Sequence, residues 1–174
     1  MHTSLYSVTY PPLIKSLEAL SGILTKAEAH AKSHSSENRS FEDALLNDRL
    51  VFNQFPLIRQ VQIACDNAKN SIKRLGAGDV PSFEDTETTF AQLQERITHT
   101  IELLKGVTPE SINDKEETRV ALPYWDGKSL SGFEYVTEQL LPNFYFHVTT
   151  AYAIIRKNGV AIGKSDFIGP LSLK

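Results

Sequence analysis

Four stretches of this sequence place apolar residues at alternating spacings of three and four, and this periodicity limits the fold more than any other feature. Because an α-helix has about 3.6 residues per turn, residues spaced in this way lie on one face. Strand-like alternation of comparable strength is not seen along the chain. The pattern therefore predicts an all-α protein, a four-helix bundle with short extra helices. The four stripes are Leu13–Leu17–Leu20–Leu24, Leu57–Val61–Ala64–Ala68, Phe90–Leu93–Ile97–Ile101 and Leu140–Phe144–Ala151–Ile154.

The first three long helices have recognisable starts. The first is predicted to begin after Pro11-Pro12, because proline fits the first turn of a helix, where backbone N–H groups have no partner. Ser40 has the position of an N-cap for a short helix. The second long helix is predicted to begin near Pro56, and the third in the threonine-rich stretch 86–89.

An irregular segment, 107–129, separates the third long helix from the fourth. Ser131 and Glu134 have the spacing of a capping box, which predicts that the fourth helix opens there. Pro142 predicts a kink or restart, since proline removes a backbone donor. Asn158-Gly159 is typical of a helix end.

Composition and charge exclude several classes of protein. The chain has 174 residues, one cysteine and a formal net charge of −3, with lysines, arginines and acidic residues interleaved. This balance argues against nucleic-acid binding, which relies on clustered cations. Apolar runs are shorter than the roughly 18 residues that span a bilayer, so no membrane association is predicted. We expect one domain over residues 1–174, located in the cytoplasm.

His147 is the most unusual residue, because it lies within the most aromatic and apolar helical stretch of the chain. The stripe on its helix predicts that the imidazole points into the bundle. A buried polar ring must find a hydrogen-bond partner or lose stability. Gln62 and Asp66, one turn apart on the second long helix, are the candidates, so a contact from His147 to one of them is predicted.

Two interpretations of this cluster are open. In the first, His147 belongs to a polar network that only joins helices. In the second, it lies in a small-molecule pocket between the second and fourth long helices and acts as a general acid/base or an anchoring donor. The second predicts His147 and Asp66 as catalytic residues, and as ligand-binding residues Gln62, Asn143, Thr150 and Tyr152.

A metal at this site lacks ligands in the sequence. Helical zinc and iron sites use imidazoles or carboxylates three or four residues apart. The residue four positions after His147 is Ala151, and the residue four before is Asn143. No cofactor is therefore predicted, and a divalent metal held by His147 and Asp66 is the alternative.

Three stretches carry a family resemblance: RQVQIACDNAK, VPSFEDTETTFAQLQERI and LPNFYFHVTTAYAIIRKNGVAIGKSDFIG. They resemble a branch of the DinB/YfiT-like superfamily that is known as a domain of unknown function. The resemblance runs from about Tyr6 to Gly169. It implies a four-helix bundle with up-down-down-up topology, and a homodimer.

The resemblance also implies a place for the site. Relatives in the superfamily include thiol-dependent isomerases and transferases that bind a divalent metal (zinc, nickel or iron) through three histidines, one on the second helix and two on the fourth. Of these ligands, only His147 is matched here. We therefore expect a pocket that lacks the three-histidine metal site and binds an unidentified small molecule. A metal-dependent enzyme and a non-enzymatic dimeric binding or stress-related module are the alternatives.

Overall fold

The computed structural model describes residues 3–36 and 40–173, and the fold within them is helical. Four long helical stretches dominate, and the last of them contains a π-helical segment near its start. Shorter helices connect them or follow the last one. The elements in chain order are α1 (Leu5–His34), α2 (Phe41–Asn47), α3 (Leu57–Arg74), α4 (Phe90–Lys105), α5 (Pro109–Ile112), a 3₁₀ turn (Pro123–Trp125), α6 (Gly132–Glu134), a π-helical stretch (Tyr135–Leu140), α7 (Leu141–Lys157) and α8 (Lys164–Ile168).

The long helices run up, down, down and up, as predicted. Helices α3 and α7 are antiparallel neighbours, α3 and α4 are parallel, and α1 is antiparallel to α4. Because α3 and α4 are parallel, the chain must travel back along the bundle from the end of α3 to the start of α4, and the long connection 75–89 does this. Side-chain pairs show these directions. Helices α3 and α7 are joined by Gln60–His147 and Asn67–Asn143, and α3 is joined to α4 and the residues just before it by Gln62–Glu87 and Asp66–Arg96. Helices α1 and α4 are joined by Ser21–Gln94 and Glu18–Lys105.

The predicted start of the first helix is wrong. Helix α1 begins at Leu5, with Ser4 as its N-cap in a capping box, and Pro11 and Pro12 lie inside it. Each proline removes one backbone donor from the helix. Burial of the apolar side chains of the first turns, including Leu5 and the fully buried Tyr10, offsets this loss.

The other predicted boundaries are confirmed. Ser40 caps α2, and Pro56 stands at the N-cap of α3. Thr89 opens α4 with a capping box. Gly159 follows α7 with a φ of 85°, a left-handed conformation that glycine adopts without a steric penalty.

The fourth long helix changes from π-helical to α-helical geometry next to the predicted proline, and its backbone stays helical throughout. Ser131 and Glu134 form the expected capping box of α6. The chain then passes through the π-helical stretch, and α7 begins with Pro142 in its first turn. A π-helical stretch shifts the phase of the helix faces, and it lies directly before the proline, which lacks a backbone donor.

Buried apolar side chains from all four long helices form one core. The seam between α3 and α7 also buries polar residues, and it is there that the predicted site lies. Within the described ranges, no helix has the length and apolarity needed to cross a membrane.

Candidate functional site

His147 lies on α7 and faces α3, with only 7% of the residue exposed. Its Nδ1 atom is 2.7 Å from Oε1 of Gln60. Gln60 is itself buried, and its Nε2 atom donates to the backbone carbonyl of Phe55 at 2.9 Å. The ring of Phe146 meets the imidazole edge-on, with ring centroids 5.2 Å apart. The site is thus built from α7, the first turn of α3 and the connection that precedes it.

These contacts fix the tautomer of His147. The Phe55 carbonyl can only accept, so the amide nitrogen of Gln60 faces it and the amide oxygen faces the imidazole. That oxygen is also only an acceptor, so Nδ1 of His147 carries the proton and donates. In the neutral ring Nε2 then holds a lone pair. Nε2 has no hydrogen-bond partner in ranges 3–36 and 40–173, and it is not among the fully buried unpaired atoms there, so it retains solvent contact.

The imidazole is neutral at physiological pH. Burial, with a smaller contribution from the Arg59 guanidinium, lowers the pKa of His147 from 6.5 to about 4. The ring therefore acts as a hydrogen-bond acceptor through Nε2. At pH 7 it is a weak base, and almost none of it is protonated to act as a general acid.

The lowered pKa predicts a pH dependence of stability. Because the folded-state pKa lies below the unfolded value, the neutral ring contributes stability that is present above pH 6.5 and is lost as the pH falls towards about 4. His147→Asn removes the titration, and its amide nitrogen, bonded to Cγ as Nδ1 is, can still donate to Gln60. Between pH 7 and 4.5, urea unfolding should show the wild type losing roughly 2 kcal/mol relative to the variant. Parallel curves for the two proteins would contradict the buried, neutral ring.

The predicted contact of His147 with Asp66 or Gln62 is wrong. Oδ1 of Asp66 accepts from Arg96 at 2.9 Å, and Gln62 bridges Arg59 and Glu87. Both residues face the connection 75–89 and α4, because they lie on a different face of α3 from Gln60. Asp66 is therefore not placed to orient His147 or to share a catalytic step with it.

The remaining predicted residues divide between the seam and other surfaces. Asn143, one turn before His147, donates to Oδ1 of Asn67 on α3 at 3.2 Å. Thr150 lies one turn after it, but its hydroxyl donates to the carbonyl of Phe146 within α7. Tyr152 is not at the seam, because its ring packs edge-on against Phe167 of α8 with centroids 5.7 Å apart.

Gln60 is the residue that sequence reasoning missed. A signal for it exists, because Leu57, Gln60, Ala64 and Asn67 follow the same spacing of three and four as an apolar stripe. All four are buried on α3, and two of them are polar. Two polar residues in register with this buried stripe, Gln60 and Asn67, indicate that this face of α3 packs against a polar part of another helix, which is α7.

The site does not fit the three-histidine metal centre. The imidazole of His147 donates to an amide oxygen, as metal-binding histidines often do. However, Asp66 and Gln62 are held by other partners, and the residue one turn after His147 is Ala151. No group of three or more His, Cys, Asp or Glu residues that could hold a metal was found among the described residues.

Comparisons with known proteins agree with this fold. The family described as domain of unknown function (DUF1993) matches residues 5–168. A crystal structure of a DinB family member protein from Shewanella denitrificans is 42% identical, with a TM-score of 0.89 over 98% of this chain and 94% of that one. No curated protein matches this chain significantly.

Proposed function

The chain belongs to the DUF1993 family, DinB-like helical domains of unknown function, and we propose that it binds a small organic molecule at the seam between α3 and α7. His147 anchors the ligand. The observation that carries this proposal is the bond from His147 Nδ1 to Gln60, which leaves Nε2 without a partner in the described ranges of the chain.

The chemistry of the seam defines the ligand class. The lone pair on Nε2 can accept a hydrogen bond, so the ligand carries a hydroxyl or N–H group that donates to it. Phe146, whose ring meets the imidazole edge-on, is about half exposed and offers an apolar surface beside His147. Arg59, the nearby cation, is already paired with Asp85. A neutral molecule with an aromatic or aliphatic body fits best.

Asn67 supports a polar ligand. Its Nδ2 atom is buried and lacks a hydrogen-bond partner in the part of the chain that the structure describes. An unpaired buried donor is costly, and a water molecule or a ligand acceptor commonly satisfies such a group. Asn67 lies two turns after Gln60 on α3, about 10 Å along the helix axis. The seam thus offers an unused acceptor and an unused donor.

The proposal differs from acid–base catalysis and from metal chemistry. A ring whose pKa is about 4 is neutral at pH 7, which suits recognition of a donor better than proton transfer. The seam also lacks the second and third ligands of a divalent metal site. The homodimer and the cytoplasmic location remain predictions that rest on the resemblance and on composition.

Phenol and anisole test the proposal as a matched pair, because they share a ring and differ in the hydroxyl donor. We expect phenol to bind saturably and to raise the melting temperature with increasing concentration, and anisole to bind about three- to tenfold more weakly, the range for one hydrogen bond. His147→Asn keeps the donor to Gln60 but removes Nε2, so it should reduce phenol affinity by the same factor and leave anisole unchanged.

His34→Asn is the control, because His34 is an exposed histidine at the end of α1 and should leave phenol binding unaltered. Isothermal titration calorimetry gives the affinities directly. Equal binding of phenol and anisole, no binding of either, or unchanged phenol affinity in His147→Asn would contradict the proposed anchoring role.

A further inference from the structure

A separate cleft of about 610 Å³ lies where the parallel helices α3 and α4 end side by side. Its apolar walls come from Ile72 of α3, Leu103 of α4 and, between them, Val80 and Phe83 of the connection 75–89. This volume suits a small organic molecule. Ile72 is twelve residues after Gln60, about 18 Å along α3, so the cleft is distinct from the seam at His147.

Buried cations hold the irregular wall of this cleft in place. Lys69 of α3 donates to the carbonyl of Pro81 at 2.7 Å, and Arg96 of α4 donates to the carbonyl of Glu84 at 3.1 Å. Both cations also lie over the ring of Phe83, at 4.5 and 5.3 Å from its centroid. These contacts hold a non-helical segment in place and supply hydrogen-bond donors to backbone carbonyls that face the protein interior and would otherwise lack partners. The wall of the cleft is therefore held in a defined position by specific contacts with α3 and α4.

The two cations that lie over Phe83 are neutralised by Asp66, Asp85 and Glu87, so they leave no unpaired positive charge at the cleft. Residues at the ends of α3 and α4 line the cleft, so the partial negative charges of two helix C-termini lie close to it. Lys73 is paired with Asp79, and Lys105 with Glu18 of α1. The carboxylate of Glu102 therefore has no cation partner among the described residues, and it lines the cleft.

We propose that this cleft binds a small organic cation, with an apolar body against Ile72, Phe83 and Leu103 and a protonated amine near Glu102. The inference is independent of the function proposed for the seam. His99, at the rim, is another polar group within reach of a ligand. A binding experiment at pH 8 keeps an alkylamine protonated.

Backbone amide NMR of the full chain tests this proposal with 2-phenylethylamine and 3-phenylpropionate, which have similar bodies and opposite charge. We expect saturable shifts at Gly78, Leu103 and Ser111 with the amine, and an affinity about fivefold or more above that of the carboxylate. Glu102→Gln should weaken amine binding about two- to fivefold. Glu95→Gln removes the same charge from exposed α4 surface outside this cleft and should have no effect.

The proposal would be overturned by shifts at the cleft that do not saturate, by equal affinity for amine and carboxylate, or by equal effects of Glu102→Gln and Glu95→Gln. Both variants change exposed residues, so circular dichroism should show that they fold like the wild type. Amine-induced shifts confined to the surroundings of His147 would also contradict a site at this end of the bundle.

Discussion

Replacing Arg96 with alanine is expected to lower the free energy of unfolding by about 3–5 kcal/mol, the range for removing one partner of a buried ion pair. Only 2% of the Arg96 side chain is exposed, and it contacts Asp66, Asp85 and Glu87 at 2.9, 3.0 and 2.8 Å. Without the guanidinium these carboxylates face one another unpaired, and the connection 75–89 loses its main attachment to α4.

Lys73→Ala is the matched control, because Lys73 forms an exposed ion pair with Asp79. Such pairs contribute at most about 1 kcal/mol. Urea unfolding at pH 7 measures both variants. A loss below about 1 kcal/mol for Arg96→Ala would show that the cluster does not hold the bundle together. Arg96→Lys should recover part of the loss, because it keeps the charge but cannot make the forked contacts of arginine.

The second large effect is expected at Gly132, the first residue of α6. A methyl group built there would lie 2.0 Å from the backbone oxygen of Lys115 and 3.3 Å from Cδ2 of Leu75. A backbone atom cannot rotate away as a side chain can, so α6 or the segment around Lys115 must shift. Gly132→Ala is therefore expected to cost about 3 kcal/mol or more.

Gly22→Ala is expected to have the opposite effect, an increase in the stability of the protein. Gly22 lies in the middle of α1, and a methyl group there meets nothing within 4 Å. Alanine should stabilise the protein by about 0.5–1 kcal/mol through its higher helix propensity. Thermal unfolding of the two variants separates the steric effect from the propensity effect. Equal melting temperatures would contradict the close approach at Gly132.

Local signals in the sequence were sufficient for most of the fold. Capping residues such as Thr89 and Ser131 and the glycine that follows α7 act within a few residues of the helix ends they mark, so the boundaries followed from the sequence. The start of α1 did not, because it depends on long-range burial of Leu5 and Tyr10, which outweighs the helix-breaking tendency of the two prolines.

The site was predicted less completely because its partners come from different segments. The sequence identified His147 as inward-facing but gave it the partners Asp66 and Gln62. Which face of α3 meets α7 depends on the rotation of a whole helix. That rotation is fixed here partly by Arg96, which draws Asp66 towards α4 and leaves Gln60 facing the imidazole. No local pattern around Asp66 indicates this contact.

The most direct test of the account is a long-range ¹H–¹⁵N spectrum of histidine-labelled protein, recorded from pH 7 to pH 5 and then with phenol. We expect His147 to remain the neutral tautomer with its proton on Nδ1, and phenol to move its Nε2 resonance while the resonances of the exposed His34 are unchanged. A ring with its proton on Nε2, or one that titrates near its usual pKa of 6.5, would contradict the assignment of His147 as the anchoring acceptor.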